Sequence, residues 1–240
     1  MKIYFAEVTD VYVELLNKVL KELDTPVHVL YSYGMSKRDV SWVYDINPDI
    51  SILIDSGAWT VFKQNKIIDV NDYCKWLDKQ DVEGYFNLDV IGDHIQTRKN
   101  QDYMESLGYK PIPVYHVGED YSIFDDMCDR YDYVGIGGIA HKRGRMREKY
   151  LSELLKRNGS TRLHVLGVAQ RELLERFKDQ IYSVDTTSPQ VTQSKGSVMY
   201  NGKRQKIFSN RVGYRRFGGK DELVILRLNF YEWWKLQKYG

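Results

Sequence analysis

Short runs of β-branched and aromatic residues recur along the chain, separated by longer stretches in which apolar residues return every third or fourth position. The runs are KIYFAE (residues 2 to 7), VHVLYSY (27 to 33), SILIDSG (51 to 57), GYFNLDV (84 to 90), IPVYHVG (112 to 118), YVGIGGI (133 to 139), LHVLGVA (163 to 169) and IYSVDTT (181 to 187). They predict eight strands. Between them, Val13, Leu16, Leu20 and Leu23 are spaced as one face of a helix over residues 11 to 23, and Leu174 and Phe177 do the same in RELLERF. Asp69 stands where a helix N-cap belongs, ahead of VNDYCKWL. A last amphipathic stretch, residues 221 to 238, predicts a closing helix.

Strand and helix alternating eight times is the pattern of a (β/α)8 barrel, with an open doubly wound sheet as the competing architecture. A chain of 240 residues, 42% hydrophobic and 28% charged, can fill one such core. The expected organisation is therefore a single domain: a catalytic barrel over residues 1 to 190, a basic arm or hairpin over 191 to 220, and a helix over 221 to 240 that packs back on the barrel. Two cysteines far apart, Cys74 and Cys128, make neither a disulfide framework nor a thiolate zinc site. With no signal-peptide pattern and no apolar run of membrane-spanning length, the expected location is the cytoplasm.

In either architecture the C-terminal ends of the strands carry the chemistry. Those ends hold Asp55, Asp89, His116 and Asp185, with glycines at Gly135, Gly137, Gly138 and Gly167. The acids have two readings. They cap the following helices, or they form a pair for glycosyl chemistry, in which one attacks the anomeric carbon and the other moves a proton. The glycines also have two: close strand packing, or room for backbone amides to approach a planar base. GIGGIA is not GxGxxG and is not followed by the Lys-Ser/Thr of a phosphate loop, so a dinucleotide is not indicated.

IDSGAW, NLDV, VYHVG, GIGGIA, LGVA and SVDTTS, in that order, resemble the strand-end motifs of the tRNA-guanine transglycosylases. The likeness spans roughly residues 50 to 190. It is nearest to the small DpdA-like enzymes of phages and bacterial genomic islands, which insert 7-deazaguanines into DNA. The resemblance implies that Asp185 is the nucleophile of a covalent glycosyl intermediate and Asp55 the general acid/base. It implies that Asp89 binds the edge of the base, with Ser56, Gly57, His116, Gly137, Gly138 and Gly167 lining the same pocket. No metal or redox cofactor is implied, and a free 7-deazaguanine is the co-substrate.

The chain departs from the tRNA enzymes in three places. His116 stands where they carry Gln, Ala58-Trp59 replaces Gly-Phe, and the zinc-binding subdomain that follows SVDTTSP in that family is missing. From Thr186 to Lys220 there is no Asp or Glu, whereas Lys195, Lys203, Arg204, Lys206, Arg211, Arg215, Arg216 and Lys220 are basic and Tyr200, Phe208, Tyr214 and Phe217 are interleaved with them. Such a stretch suits phosphate contacts and base stacking, or it is a solvated hairpin turning at Asn201-Gly202. HKRGRMREK (141 to 149) has the same two readings, nucleic-acid contact or an exposed helix start. The net charge of +2 decides nothing by itself.

The expected activity is exchange of guanine in DNA for a 7-deazaguanine, with the target nucleotide flipped out of the duplex. The alternatives are tRNA as the polymer, a glycosidase in which water replaces the incoming base, and a protein that binds DNA or modified bases without reacting. A second copy or a partner subunit is compatible with each.

Overall fold

The computed structural model describes residues 1–142, 144–168, 170–207 and 220–239. Eight strands form one parallel sheet: β1 (Lys2–Ala6), β2 (His28–Ser32), β3 (Ser51–Asp55), β4 (Gly84–Tyr85), β5 (Val114–His116), β6 (Tyr133–Gly137), β7 (Arg162–Val165) and β8 (Ser183–Thr186). The order β4-β3-β2-β1-β8-β7-β6-β5 is cyclic in sequence, as a barrel requires. The two end strands meet through a parallel bridge between Phe86 and Ile112, with Ile112 N–H donating to Tyr85 O at 2.8 Å and Asn87 N–H to Ile112 O at 2.9 Å. This is the (β/α)8 barrel, and β4 and β5 are shorter than the seven-residue runs of the sequence suggest.

Helices α1 (Asp10–Glu22), α2 (Ser41–Ile46), α3 (Ala58–Lys63), α4 (Val70–Leu77), α5 (His94–Ser106), α6 (Tyr121–Arg130), α7 (Arg145–Arg157), α8 (Arg171–Phe177), α9 (Ser188–Ser194) and α10 (Lys220–Tyr239) surround the sheet. Asp69 caps α4 as its position predicts, accepting from the amides of Asn71 and Asp72. Cys74 and Cys128, in α4 and α6, are free thiols.

Alternation along each strand sorts side chains between two cores. Ile3, Phe5, Val29, Ile52, Ile54, Val134, Ile136, Leu163, Val165 and Val184 face the helices and form the larger core with them. Tyr4, Ala6, Leu30, Leu53, Phe86, Ile112 and Val114 fill the barrel interior. Its N-terminal end is plugged by polar groups: Glu83 binds Lys2 Nζ at 2.6 Å, accepts from Tyr4 Oη at 2.7 Å and also accepts from Ser51. Burial opposes the charge on Glu83, but these donors outweigh it and hold the carboxyl down at about 2.

Helix α10 closes the helical layer beside α1. Its Phe230 ring meets Phe5 and Tyr12 edge-on, at 5.3 and 4.9 Å. Ile225, Leu226, Phe230, Trp233, Trp234 and Leu236 are all buried, a contribution of roughly 9–18 kcal/mol at 1.5–3 kcal/mol per side chain. The exposed Arg227–Glu22 pair adds at most about 1 kcal/mol, so apolar packing holds the helix.

After α9 the chain forms an antiparallel ribbon, β9 (Ser197–Tyr200) and β10 (Lys203–Lys206), with Asn201 and Gly202 both at positive φ in the turn. The ribbon is fastened to α10: Asn229 Oδ1 accepts from Met199 N–H at 2.7 Å, and the Glu232 carboxylate meets Gly202 N–H and the Arg171 guanidinium. Among the described residues, no helix is long and apolar enough to cross a membrane.

Candidate active site

The inward-facing register continues to the C-terminal rim. Asp55 lies two residues beyond Leu53, His116 two beyond Val114, and Asp185 two beyond Ser183, so each points into the barrel mouth. None of the three acids caps a helix. The residues at the N-cap positions of α3, α5 and α9 are Gly57, Asp93 and Thr187.

Asp55 is held through one oxygen. Oδ2 accepts from Ser32 Oγ at 3.2 Å and from Gly57 N–H at 3.0 Å, and no described donor reaches Oδ1. Burial, and then the charges of Asp89 and Asp185, push its pKa up to about 7. Near neutral pH it can therefore give a proton or take one.

Asp89 occupies a different setting. Oδ1 accepts from Ser56 Oγ at 3.0 Å and Oδ2 lies 3.0 Å from His116 Nε2, while His116 Nδ1 lies 3.3 Å from Glu119 Oε1. Burial disfavours a charged His116 ring, but the two acids outweigh it and raise the pKa to about 9. Gly137 makes room for this ring, since a Cβ there would lie 2.6 Å from His116 Cδ2. Asp185 is gripped by Gly167 N–H, which donates to Oδ1 at 2.7 Å, and by His164 Nε2 at 3.3 Å from the same oxygen. Gly167 and Gly138 both have positive φ, 66° and 77°, and Gly138 lies close to the backbone of Val117.

On the same C-terminal side of the sheet, Trp59 packs on His141 with ring centroids 4.3 Å apart, and Lys63 Nζ sits 4.5 Å from the Trp59 centroid. The contact joins the segments after β3 and β6, three places apart around the ring. Arg147, from the basic stretch 141 to 149, turns inward and donates to the carbonyls of Ile139, Ala140 and Lys142 and to Gln170 Oε1. That arginine organises the loop.

The three predicted acids, Ser56, His116 and the glycines thus gather at one mouth. Lys203, Arg204 and Lys206 lie on the ribbon, where every β10 residue is exposed, and Lys195 ends α9. Arg211, Arg215 and Arg216 lie outside the described residues, as do Phe208, Tyr214 and Phe217. Glu119, Ser32 and His164 escaped the sequence reading. His164 had a legible signal: with Arg162 and Leu166 it occupies the inward phase of β7, where a polar residue in mid-strand is unusual. Among the described residues no cluster of three or more His, Cys, Asp or Glu is arranged to hold a metal ion. No protein-family model and no curated protein sequence matches the chain.

Proposed function

We propose that the protein is a transglycosylase that exchanges guanine in DNA for a 7-deazaguanine. The observation that carries this reading is the unequal setting of two acids at one barrel mouth. Asp55 is poised near neutrality with no described donor at Oδ1, while Asp185 is held at a single oxygen by Gly167 N–H and by contact with His164 Nε2. Attack of Asp185 Oδ2 on C1′ breaks the C1′–N9 bond, and protonated Asp55 supplies the proton that the departing guanine needs. The incoming deazaguanine then gives its N9 proton to the Asp55 carboxylate as N9 attacks C1′ and releases Asp185. The polar edge of the base meets Asp89, with Ser56 and His116 fixing that carboxylate. DNA is favoured over tRNA by the basic ribbon that stands in place of a zinc subdomain.

The test is incorporation of labelled guanine and 7-deazaguanines into double-stranded DNA, single-stranded DNA and tRNA, with Asp185→Ala and Asp55→Asn alongside. Label entering DNA and lost in both variants supports the reading. Label entering only tRNA changes the polymer and keeps the chemistry. An abasic site or free base without incorporation indicates a glycosidase, and binding with no reaction indicates a reader of modified bases.

A further inference from the structure

The barrel interior carries a second polar feature, directly beneath Asp185. His164 is fully buried in mid-β7, enclosed by the rings of Tyr4, Phe86 and Tyr133 at centroid distances of 5.7, 5.0 and 6.4 Å. Its Nδ1 lies 2.8 Å from Ser183 Oγ and 3.3 Å from Tyr133 Oη, and those two hydroxyls are 2.6 Å apart. On the other side its Nε2 lies 3.3 Å from Asp185 Oδ1. Tyr133, Ser183, His164 and Asp185 therefore form a continuous hydrogen-bonded column on three adjacent strands, β6, β7 and β8.

The column has a direction. A carboxylate oxygen can only accept, so Nε2 must carry the hydrogen if it is to bond to ionised Asp185. Nδ1 is then an acceptor, and Ser183 and Tyr133 each have a hydroxyl hydrogen to offer. Tyr133 can donate to Ser183 Oγ while Ser183 donates to Nδ1, which satisfies each group in the chain. A packed apolar enclosure makes the reverse arrangement unfavourable, because it would set two acceptors against each other at Asp185.

We infer that His164 is a positioning residue whose Nε2–H tautomer, selected by the Asp185 carboxylate and completed by the Tyr133–Ser183 hydroxyl pair, holds Asp185 by Oδ1 and leaves Oδ2 as its reactive oxygen. The catalytic consequence rests on reading Asp185 as the nucleophile; the tautomer and the column do not. With Gly167 N–H, His164 Nε2–H keeps two donors on Oδ1 while the carboxylate loses its charge to the ester and regains it on release. Positional slack at a nucleophile lowers the rate by roughly 10²-fold.

The experiment is nitrogen-15 NMR of the full chain labelled at histidine, at pH 7, on wild type, Ser183→Ala and Asp185→Asn, with exchange kinetics on the same samples. Expected are an Nε2–H signal for His164, a shifted Nδ1 resonance in Ser183→Ala, and loss of the single tautomer in Asp185→Asn, whose amide can both donate and accept. In Ser183→Ala, assayed below its melting temperature, kcat falls roughly 10²-fold with KM within about twofold. An Nδ1–H tautomer in wild type, or an unaltered His164 spectrum in both variants, overturns the inference. A purely structural role would instead lower the melting temperature and leave kcat as it was, which equally overturns it. If wild type shows the Nε2–H tautomer and both variants respond but no polymer takes up label, the column stands and the transglycosylase reading fails.

Discussion

Gly34 and Gly57 touch backbone to backbone. A Cβ on Gly57 would lie 2.5 Å from Gly34 Cα, and one on Gly34 would lie 2.8 Å from the Gly57 carbonyl oxygen. Gly57 also sits at φ 81°, and Gly34 N–H donates to Ser56 O at 3.1 Å. The glycine of DSG thus lets the segment after β2 press against the turn that aims Asp55. Gly57→Ala suffers both the clash and the left-handed backbone and is expected to destabilise by roughly 2 kcal/mol or more. Gly34→Ala suffers only the clash and should lose less. Chemical denaturation of the two variants orders the effects.

Asp55→Asn separates activity from stability. Burial and the neighbouring acids raise the folded pKa from 3.8 to about 7. Its contribution is therefore fully present below pH 4 and is lost as pH rises through 7. The uncharged variant should be more stable than wild type at pH 8, by about 0.5–2 kcal/mol, while base exchange falls at least ~10²-fold. A lower melting temperature than wild type at pH 8 would refute the electrostatic account of this residue.

The His116 ring has the opposite charge and a window at higher pH. Its pKa is raised from 6.5 to about 9, so its stabilisation is complete below pH 6.5 and disappears as pH climbs through 9. Replacing it by Gln leaves Asp89 and Glu119 without their shared cation. His116→Gln should destabilise at pH 6.5 by roughly 1–3 kcal/mol and converge toward wild type by pH 9.5. Urea midpoints at the two pH values decide it.

The ribbon tests the choice of polymer. Lys203, Arg204 and Lys206 are exposed, so changing all three to Ala should leave the melting temperature unaltered. If each neutralises one phosphate, the slope of log affinity against log salt for duplex DNA should become shallower by about 2.7, at 0.9 per contact. An unchanged slope would remove this ribbon from the nucleic-acid surface.

Much of this architecture was legible in the chain because the signals were local. Alternating apolar runs set all eight strands, Asn201-Gly202 marked a hairpin that does form, and Asp69 capped its helix. The strand-end acids were legible through register, since Asp55 and Asp185 fall on the inward phase of their strands. What escaped depends on distant partners. The Ser56 to Asp89 bond links residues 33 apart, the His164 to Asp185 contact residues 21 apart, and Tyr133 to Ser183 residues 50 apart. No periodicity encodes which side chains will meet across a barrel. Glycine roles were also ambiguous in sequence: Gly137 yields space to the His116 ring, whereas Gly167 lends its amide to Asp185.

Strand β4 has only two residues, and the bridge from Phe86 to Ile112 completes the ring. A hoop yields first at its thinnest join. The amides of Asn87 and Ile112 should accordingly exchange with solvent deuterium sooner than those of β1 and β2, where longer ladders lie on either side. Asp89 follows directly on that join and His116 lies on its far bank. Under the proposed reaction the base-binding residues are thereby mounted at the shortest join of the barrel, while Asp185 stands on β8, which pairs with β1 over four residues. If the chain carries out the proposed base exchange, its mouth gives first beside Asp89 and His116 and last beside Asp185.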